Sequence, residues 1–381
     1  MNDEIGFDIP DIPMIDPESG GGRIVKDKCD GAFRFAFIGL GQAGNRIVEA
    51  FWNCGYRRVC AVNTTSQDMN AIDIPAKNKL VMDVGTGGAG KNPEQGREAA
   101  QRYADEIYDL MKRSFGEEVD KIFVVAGAGG GTGTGGFSTV FQLARKMLPE
   151  TVYGDSGVGA ILSLPKVSEG NKVNANAYVL LQEVMQLVGR GRGKMDHRVL
   201  TPLFLIDNER VEKAIPNVPV SQFWKTSNSF ISGTLHLFNS LAAKDSDIVT
   251  FDKADFQDIL SSGIVTLGAC RIPRLKDATD VSQGLRDGLR GSLLVGGLQT
   301  SNSANVGCIF VGGKEVMDTL PQSHLEYSFE MLTRHLKSGG VLHRGIYQGS
   351  KEGLAAYVIL GELDQPQVRL RELAVAGGLV R

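Results

Sequence analysis

The sequence predicts an α/β protein: a mostly parallel sheet covered by helices on both faces, a long buried helix, then a smaller α+β unit. Three observations predict it. Apolar runs (RFAFIGL, RVCAVN, KLVMDV, KIFVVAG, GVGAILSL, TPLFLIDN) alternate with helix-like segments from Phe33 onward, the rhythm of strands buried on both faces. Glycine clusters follow the first and fourth of these runs, as where a strand turns into a helix around a bound phosphate. After Leu241 the texture changes to VTFDKADFQDIL, a charged helix around Lys276 to Arg290, and the strands NVGCIFVGG, GVLHRGIYQG and LAAYVILGEL.

The elements follow in order. Residues 1–32 are acidic and proline-rich with a GGG triplet, the composition of a mobile arm. Residues 33–220 hold the alternating strands and helices. In NPEQGREAAQRYADEIYDLMKRSF, Asn92 suits an N-cap, Pro93 the first helical position, and Gln95 a capping box. Residues 221–243 carry Trp224, Ile231, Leu235, Phe238 and Leu241 on one helical face. Residues 244–363 form the α+β unit, and 364–381 read as a short tail.

Composition narrows the function. The 381 residues suit two domains. A net charge of -3 gives no global basic field, so nucleic acid is not expected as a partner. The basic run GRGRGKMDHR has no interleaved aromatics and reads as a solvated loop. Cys29, Cys54, Cys60, Cys270 and Cys308 are odd in number and scattered, which fits reduced thiols. The N-terminus does not read as an export signal, and no stretch approaches the roughly 18 apolar residues of a spanning helix. The expectation is a cytoplasmic protein without membrane insertion.

Three glycine loops carry the chemistry. Gly39-x-Gly41-x-x-Gly44 alone fits either a nucleotide turn or simple helix packing. Its dehydrogenase form expects an acid at the end of the next strand, but RVCAVN runs into Asn63-Thr64-Thr65. GTGGAGKN nearly spells a Walker A loop, with Asn92 where Ser or Thr belongs. In VVAGAGGGTGTGG, Gly127, Gly129, Gly130, Gly131, Gly133, Gly135 and Gly136 surround Thr132 and Thr134. Such a run exposes backbone N–H groups at a helix start and adds two hydroxyl donors for phosphate.

GGGTGTGG resembles the tubulin/FtsZ GTPase signature, and GQAGNRIVEAFW resembles the first nucleotide loop of tubulins. NTTSQDMNAI is similar to the second loop of FtsZ, GGAGKNPEQG to the third, and IDNERV to a later ribose- or base-side loop. The resemblance spans about Phe33 to Leu363 and suggests an FtsZ-like or CetZ-like prokaryotic or phage member. It implies a Rossmann-like GTPase domain, a central helix, an activating domain, and GTP/GDP with Mg2+. The nucleotide residues it implies are Gly41, Gln42, Ala43, Gly44, Asn45, Arg46, Asn63, Gly88, Ala89, Gly90, Gly129, Gly130, Gly131, Thr132, Gly133, Thr134, Glu169, Asn208, Trp224 and Asn228. No side chain is assigned to a metal.

Glu169 matches the family glutamate near the ribose, but FtsZ's arginine four residues later is Val173 here. Trp224 and Asn228, one turn apart, would stack on guanine and read its edge; a core tryptophan with a solvent-facing asparagine is the alternative. The resemblance also implies a head-to-tail homopolymer in which one subunit's acids complete its neighbour's site. Asp252 and Asp255 occupy those acid positions; carboxylates there would orient water, and the same spacing is also an N-cap with a first-turn acid. A non-catalytic GTP-binding paralogue and an NAD-dependent oxidoreductase stay as alternatives. The tail DQPQVRLRELAVAGGLVR lacks FtsZ's long linker and adaptor peptide, so the polymer's cellular role and any adaptor are left open.

Overall fold

The structure is a computed structural model that describes residues 25–189, 199–215, 217–292, 300–334 and 336–380. Most of the acidic arm and the basic run after Gly189 lie outside the described residues.

Apolar runs become strands and amphipathic segments become helices in the expected alternation. The first part runs β1 (Phe35–Leu40), α1 (Gly41–Asn53), β2 (Val59–Asn63), α2 (Ser66–Asn70), β3 (Lys79–Val81), α3 (Pro93–Arg102), α4 (Ala104–Phe115), β4 (Lys121–Gly127), α5 (Gly131–Met147), β5 (Val158–Leu164), α6 (Asn171–Leu187), β6 (Leu203–Asp207) and α7 (Asn208–Ala214). These strands pair in parallel in the order β3-β2-β1-β4-β5-β6. The chain moves outward from β1 to β3, then returns to place β4 on the other side of β1. That reversal opens a crevice beyond the strands' C-terminal ends, where ligands bind in sheets of this kind.

Asn92 caps α3 as expected, its Oδ1 accepting from Glu94 N–H at 3.1 Å. The reciprocal bond from Gln95 is not formed. The helix expected from Pro93 to Phe115 is broken at Tyr103, whose φ of -97° and ψ of 20° leave the helical region.

The second part runs α8 (Val220–Leu241), α9 (Lys253–Leu260), β7 (Ile264–Ile272), α10 (Ala278–Ser292), β8 (Asn305–Gly312), α11 (Lys314–Thr319), α12 (Gln322–Thr333), β9 (Val341–Gln348), β10 (Leu354–Leu363) and α13 (Gln367–Ala376). Strand β7 is an addition to the sequence reading. It joins β6 in parallel through two residue pairs and β10 in antiparallel fashion, so a ten-stranded sheet ends in the order β7-β10-β8-β9. On α8, Ile231, Leu235 and Phe238 are buried as the spacing demands, but Trp224 is 42% exposed.

Among the described residues, 27–32 and 367–376 pack more closely than the sequence reading expected. Lys28 N–H donates to the Gly55 carbonyl, Arg57 N–H to Asp27, and Arg58 pairs with Asp27 at 2.5 Å. Residues 27–32 therefore lie against the folded body. The supposed tail contains α13, whose Arg369, Leu370, Leu373 and Ala374 are buried. Among the described residues no helix is long and apolar enough to cross a membrane.

Candidate functional site: a cleft at one end of the sheet, acids at the other

A cleft of about 480 Å³ lies at the crevice. It is lined by Leu40 to Ala43 after β1, Asn63 to Thr65 with Gln67 and Asp68 after β2, Gly87 to Lys91, Gly127 and Gly129 to Gly133 after β4, Ser163 and Pro165 around the end of β5, Glu169 and Val173, and Asn208 after β6. Helices α1 and α5 begin here with Leu40 and Gly130 as N-caps and no side-chain cap. The first amides of each helix have no intrahelical partner, and both positive dipole ends point into one space. Two converging helix starts make a site for a polyanion such as a phosphate chain.

Side chains tie the loops together. The hydroxyls of Thr132 and Thr64 are 2.7 Å apart, and Ala89 N–H donates to the Thr64 hydroxyl at 3.0 Å. Asp68 accepts from Gln42 at 3.0 Å and from Asn63 at 3.1 Å. These bonds tie four loops to one another, and preorganisation of this kind strengthens binding.

The glycines divide into two uses. A Cβ on Gly44 would meet the Val125 carbonyl oxygen at 2.2 Å, one on Gly133 the Gly127 oxygen at 2.6 Å, and one on Gly135 the Pro93 oxygen at 1.9 Å. These positions let backbone touch backbone. A Cβ on Gly130 would meet nothing within 4 Å, because it faces the cleft. The run of seven is thus partly packing, a correction to the reading that all serve phosphate.

Of the expected nucleotide residues, Gly41, Gln42, Ala43, Asn63, Gly88, Ala89, Gly90, Gly129, Gly130, Gly131, Thr132, Gly133, Glu169 and Asn208 line the cleft. Gly44, Asn45, Arg46, Thr134, Trp224 and Asn228 do not. Asn45 is buried and donates to the Val62 carbonyl at 3.2 Å, and Thr134 donates to the Ala128 carbonyl. Both brace loops from behind. Arg46, Trp224 and Asn228 line a second cavity of about 500 Å³ with Glu49 and Lys225, since Arg46 sits a full turn, about 5.4 Å, further along α1 than Gln42. Thr64, Asp68, Ser163, Pro165 and Val173 were missed; only Asn63 was taken from the segment that carries the first two.

The acids lie far away. The 22 residues of α8 lead from the cleft side to the opposite end, roughly 33 Å at helical rise. There Asp252 caps α9, its Oδ1 accepting from Ala254 and Asp255 N–H at 2.8 and 2.9 Å, while Asp255 Oδ2 accepts from Asp252 N–H at 3.0 Å. The other oxygen of Asp255 is 2.7 Å from His343 Nδ1 on β9. Nearby, Lys121 Nζ at the start of β4 donates to Asp155 at 2.8 Å and to the Leu260 carbonyl ending α9 at 3.4 Å. Burial pulls this ammonium below its usual range, and Asp155 opposes the shift. A buried cation thus fixes the acid segment to the base of the sheet.

The description Tubulin/FtsZ family, GTPase domain, matches residues 34–189. The tubulin-like protein TubZ of Bacillus cereus is 29% identical over 254 residues, covering 62% of this chain and 54% of TubZ. The cell division protein FtsZ of Haloferax mediterranei is 28% identical over 274 residues, covering 71% and 65%. The match thus spans little more than half the length of these TubZ relatives. The fold superimposes with a TM-score of 0.79 and 24% identity on a GTPγS-form protofilament of Bacillus thuringiensis serovar israelensis TubZ, covering 92% of each chain. The helical model of the TubZ-Bt two-stranded filament gives 0.78 at 25% identity, covering 92% of this chain and 89% of that one. The oxidoreductase alternative finds no counterpart in these matches. Residues 34–189 thus match the GTPase domain of the tubulin/FtsZ family, and the chain has the same fold as these TubZ structures.

Proposed function

We propose that the protein binds GTP in the cleft, assembles head to tail, and hydrolyses the nucleotide where a neighbour's Asp252 and Asp255 meet it. The observation that carries this reading is the separation of the parts: a polyanion cleft at one end of the sheet and a pair of acids at the other, with α8 between them. One subunit cannot close roughly 33 Å on itself, but a heterologous contact brings unlike ends together and repeats indefinitely. The GTPγS-form protofilament of a TubZ with this fold supports the same arrangement.

In the cleft, the α1 and α5 amides and the Thr132 hydroxyl hold phosphate oxygens, and Asn208 and Glu169 stand on the ribose and base side. Across the junction, Asp252 and Asp255 orient water towards the terminal phosphate; positioning and charge stabilisation do most of the work in phosphoryl transfer. Mg2+ is expected with the nucleotide. Such an ion takes phosphate oxygens, waters and one or two carboxylates. Asp68 and Glu169 are the cleft carboxylates; the ion would neutralise phosphate charge. Free cysteines among the described residues agree with a cytoplasmic setting.

The test is GTP turnover per subunit from sub-micromolar to tens of micromolar protein. The expected result is a rise above a critical concentration. Constant specific activity would refute the shared site, and binding without turnover at any concentration would favour the non-catalytic paralogue.

A further inference from the structure

The helix α13 makes a connection that the nucleotide reading does not use. Arg369 is 2% exposed. Its Nη2 donates to the Pro165 carbonyl at 2.5 Å and lies 3.1 Å from Asp207 Oδ1, while Nη1 reaches Glu372 at 3.0 Å. Pro165 lines the cleft and opens the turn that delivers Glu169, whose carboxylate accepts from Lys166 N–H at 2.7 Å. Asp207 ends β6 and accepts from Glu209 N–H at 3.1 Å, which fixes Asn208, the cleft residue between them. One guanidinium therefore holds both loops on the ribose and base side.

We propose that Arg369 is a positioning residue for the nucleotide cleft and that docking of α13 and occupancy of the cleft favour each other. The proposal rests on the nucleotide reading above. Leu370, Leu373 and Ala374 bury one side of α13, and Gly377 at its end passes so close to α6 that a Cβ would meet Ala175 backbone at 2.8 Å. Helix α6 also carries Val173 into the cleft. Burial raises the Asp207 carboxyl above its usual range while Arg369 draws it down; without the guanidinium a buried carboxylate would be left unpaired, which is strongly unfavourable. The Pro165 and Asp207 loops would then relax, and the nucleotide would have to reorder them. By linkage, whatever factor docked α13 adds to nucleotide affinity, bound nucleotide must return as protection of α13.

Hydrogen exchange on the full chain, held below its assembly concentration with and without saturating GDP, tests this. The expected result in the wild type is slowing of the amides of residues 367–376 by about tenfold, together with protection of the glycine loops. In Arg369→Met, GDP affinity is expected to fall by about tenfold, and 367–376 should no longer respond although the glycine loops do. Leu373→Ala, which loosens the helix and keeps the guanidinium, should also weaken GDP binding. The wild-type arm stands even if a variant fails to fold. Protection of the glycine loops with unchanged exchange in 367–376 overturns the coupling and leaves the nucleotide reading intact. No protection anywhere in the cleft by GDP or GTP overturns the nucleotide reading, and the coupling with it.

Discussion

At the cleft end the chain offers bare backbone: Gly41, Gly129, Gly130 and Gly131 surround the space, and two helix starts point their amides into it. At the opposite end it offers side chains already bonded to one another, Asp252 and Asp255 in a reciprocal cap and His343 against Asp255. On the proposed function one end depends on missing atoms, so added atoms should damage it. The other would depend on two carboxylates held in place, so removed atoms should damage it. This difference sorts the mutations by mechanism.

The largest effect belongs to a glycine that is filled by backbone. Gly135→Ala places a Cβ 1.9 Å from the Pro93 oxygen, and a clash with main chain has no side chain to yield; a loss of about 3 kcal/mol or more is expected. Gly130→Ala meets nothing and should keep the fold while weakening GTP binding. Thermal unfolding of the pair checks the distinction. Equal melting temperatures would erase the division between packing and cleft glycines.

Asp255→Ala is the counterpart at the acid end. GTP affinity should stay unchanged while turnover in assembled protein falls by about 100-fold or more, the scale of a lost positioning contact. Losing the reciprocal bond to Asp252 N–H should also cost about 1 kcal/mol of stability, while Asp252 still caps the helix. Reduced affinity for GTP would place Asp255 at its own subunit's cleft and break the comparison.

Thr132→Ala should weaken GTP binding by about 1.5 to 3 kcal/mol, a ten- to hundredfold change. Part of that loss comes indirectly, because Thr64 loses the hydroxyl 2.7 Å away that helps hold the Ala89 loop. Affinity held within about twofold would mean that this hydroxyl does not serve the ligand.

The smallest effect concerns α8, the rod between the two ends. His236 is half-buried beside Tyr56, 3.4 Å from its hydroxyl, and desolvation, helped by Lys244, lowers its pKa to about 4. Its folded value lies below the unfolded one, so its contribution is present above about pH 6.5 and is lost as pH falls. The wild type should lose about 1 kcal/mol between about pH 7 and pH 5.5 from this residue, and His236→Phe should remove that slope. Denaturant unfolding at the two pH values measures it.

Legibility in the sequence follows the same divide. The loops were readable because strand, glycine and helix adjoin in the chain, and fourteen of the residues that the family resemblance implied line the cleft. Sequence could not tell Gly135 from Gly130, since the difference lies in whether Pro93 or open space faces the missing Cβ. Trp224 was misjudged because helical period fixes a face but not how far a buried stripe extends; the stripe begins further along, and Trp224 packs edge-on to Phe223 at 5.1 Å. The Asp252 and Asp255 spacing was visible, but His343 reaches Asp255 from β9 through tertiary pairing alone. Helix α13 was taken for a tail because its anchor, the Arg369 and Asp207 pair, joins residues far apart in the chain.

The shared site is tested most directly by mixing two disabled proteins, Asp255→Ala with an intact cleft and Gly130→Trp with intact acids. Each alone should turn over little GTP. If the acids act on a neighbour's cleft, the mixture should recover turnover well above the sum of the two, through junctions that join an intact cleft to intact acids. Activity no greater than that sum, with co-assembly demonstrated by sedimentation, would contradict the account.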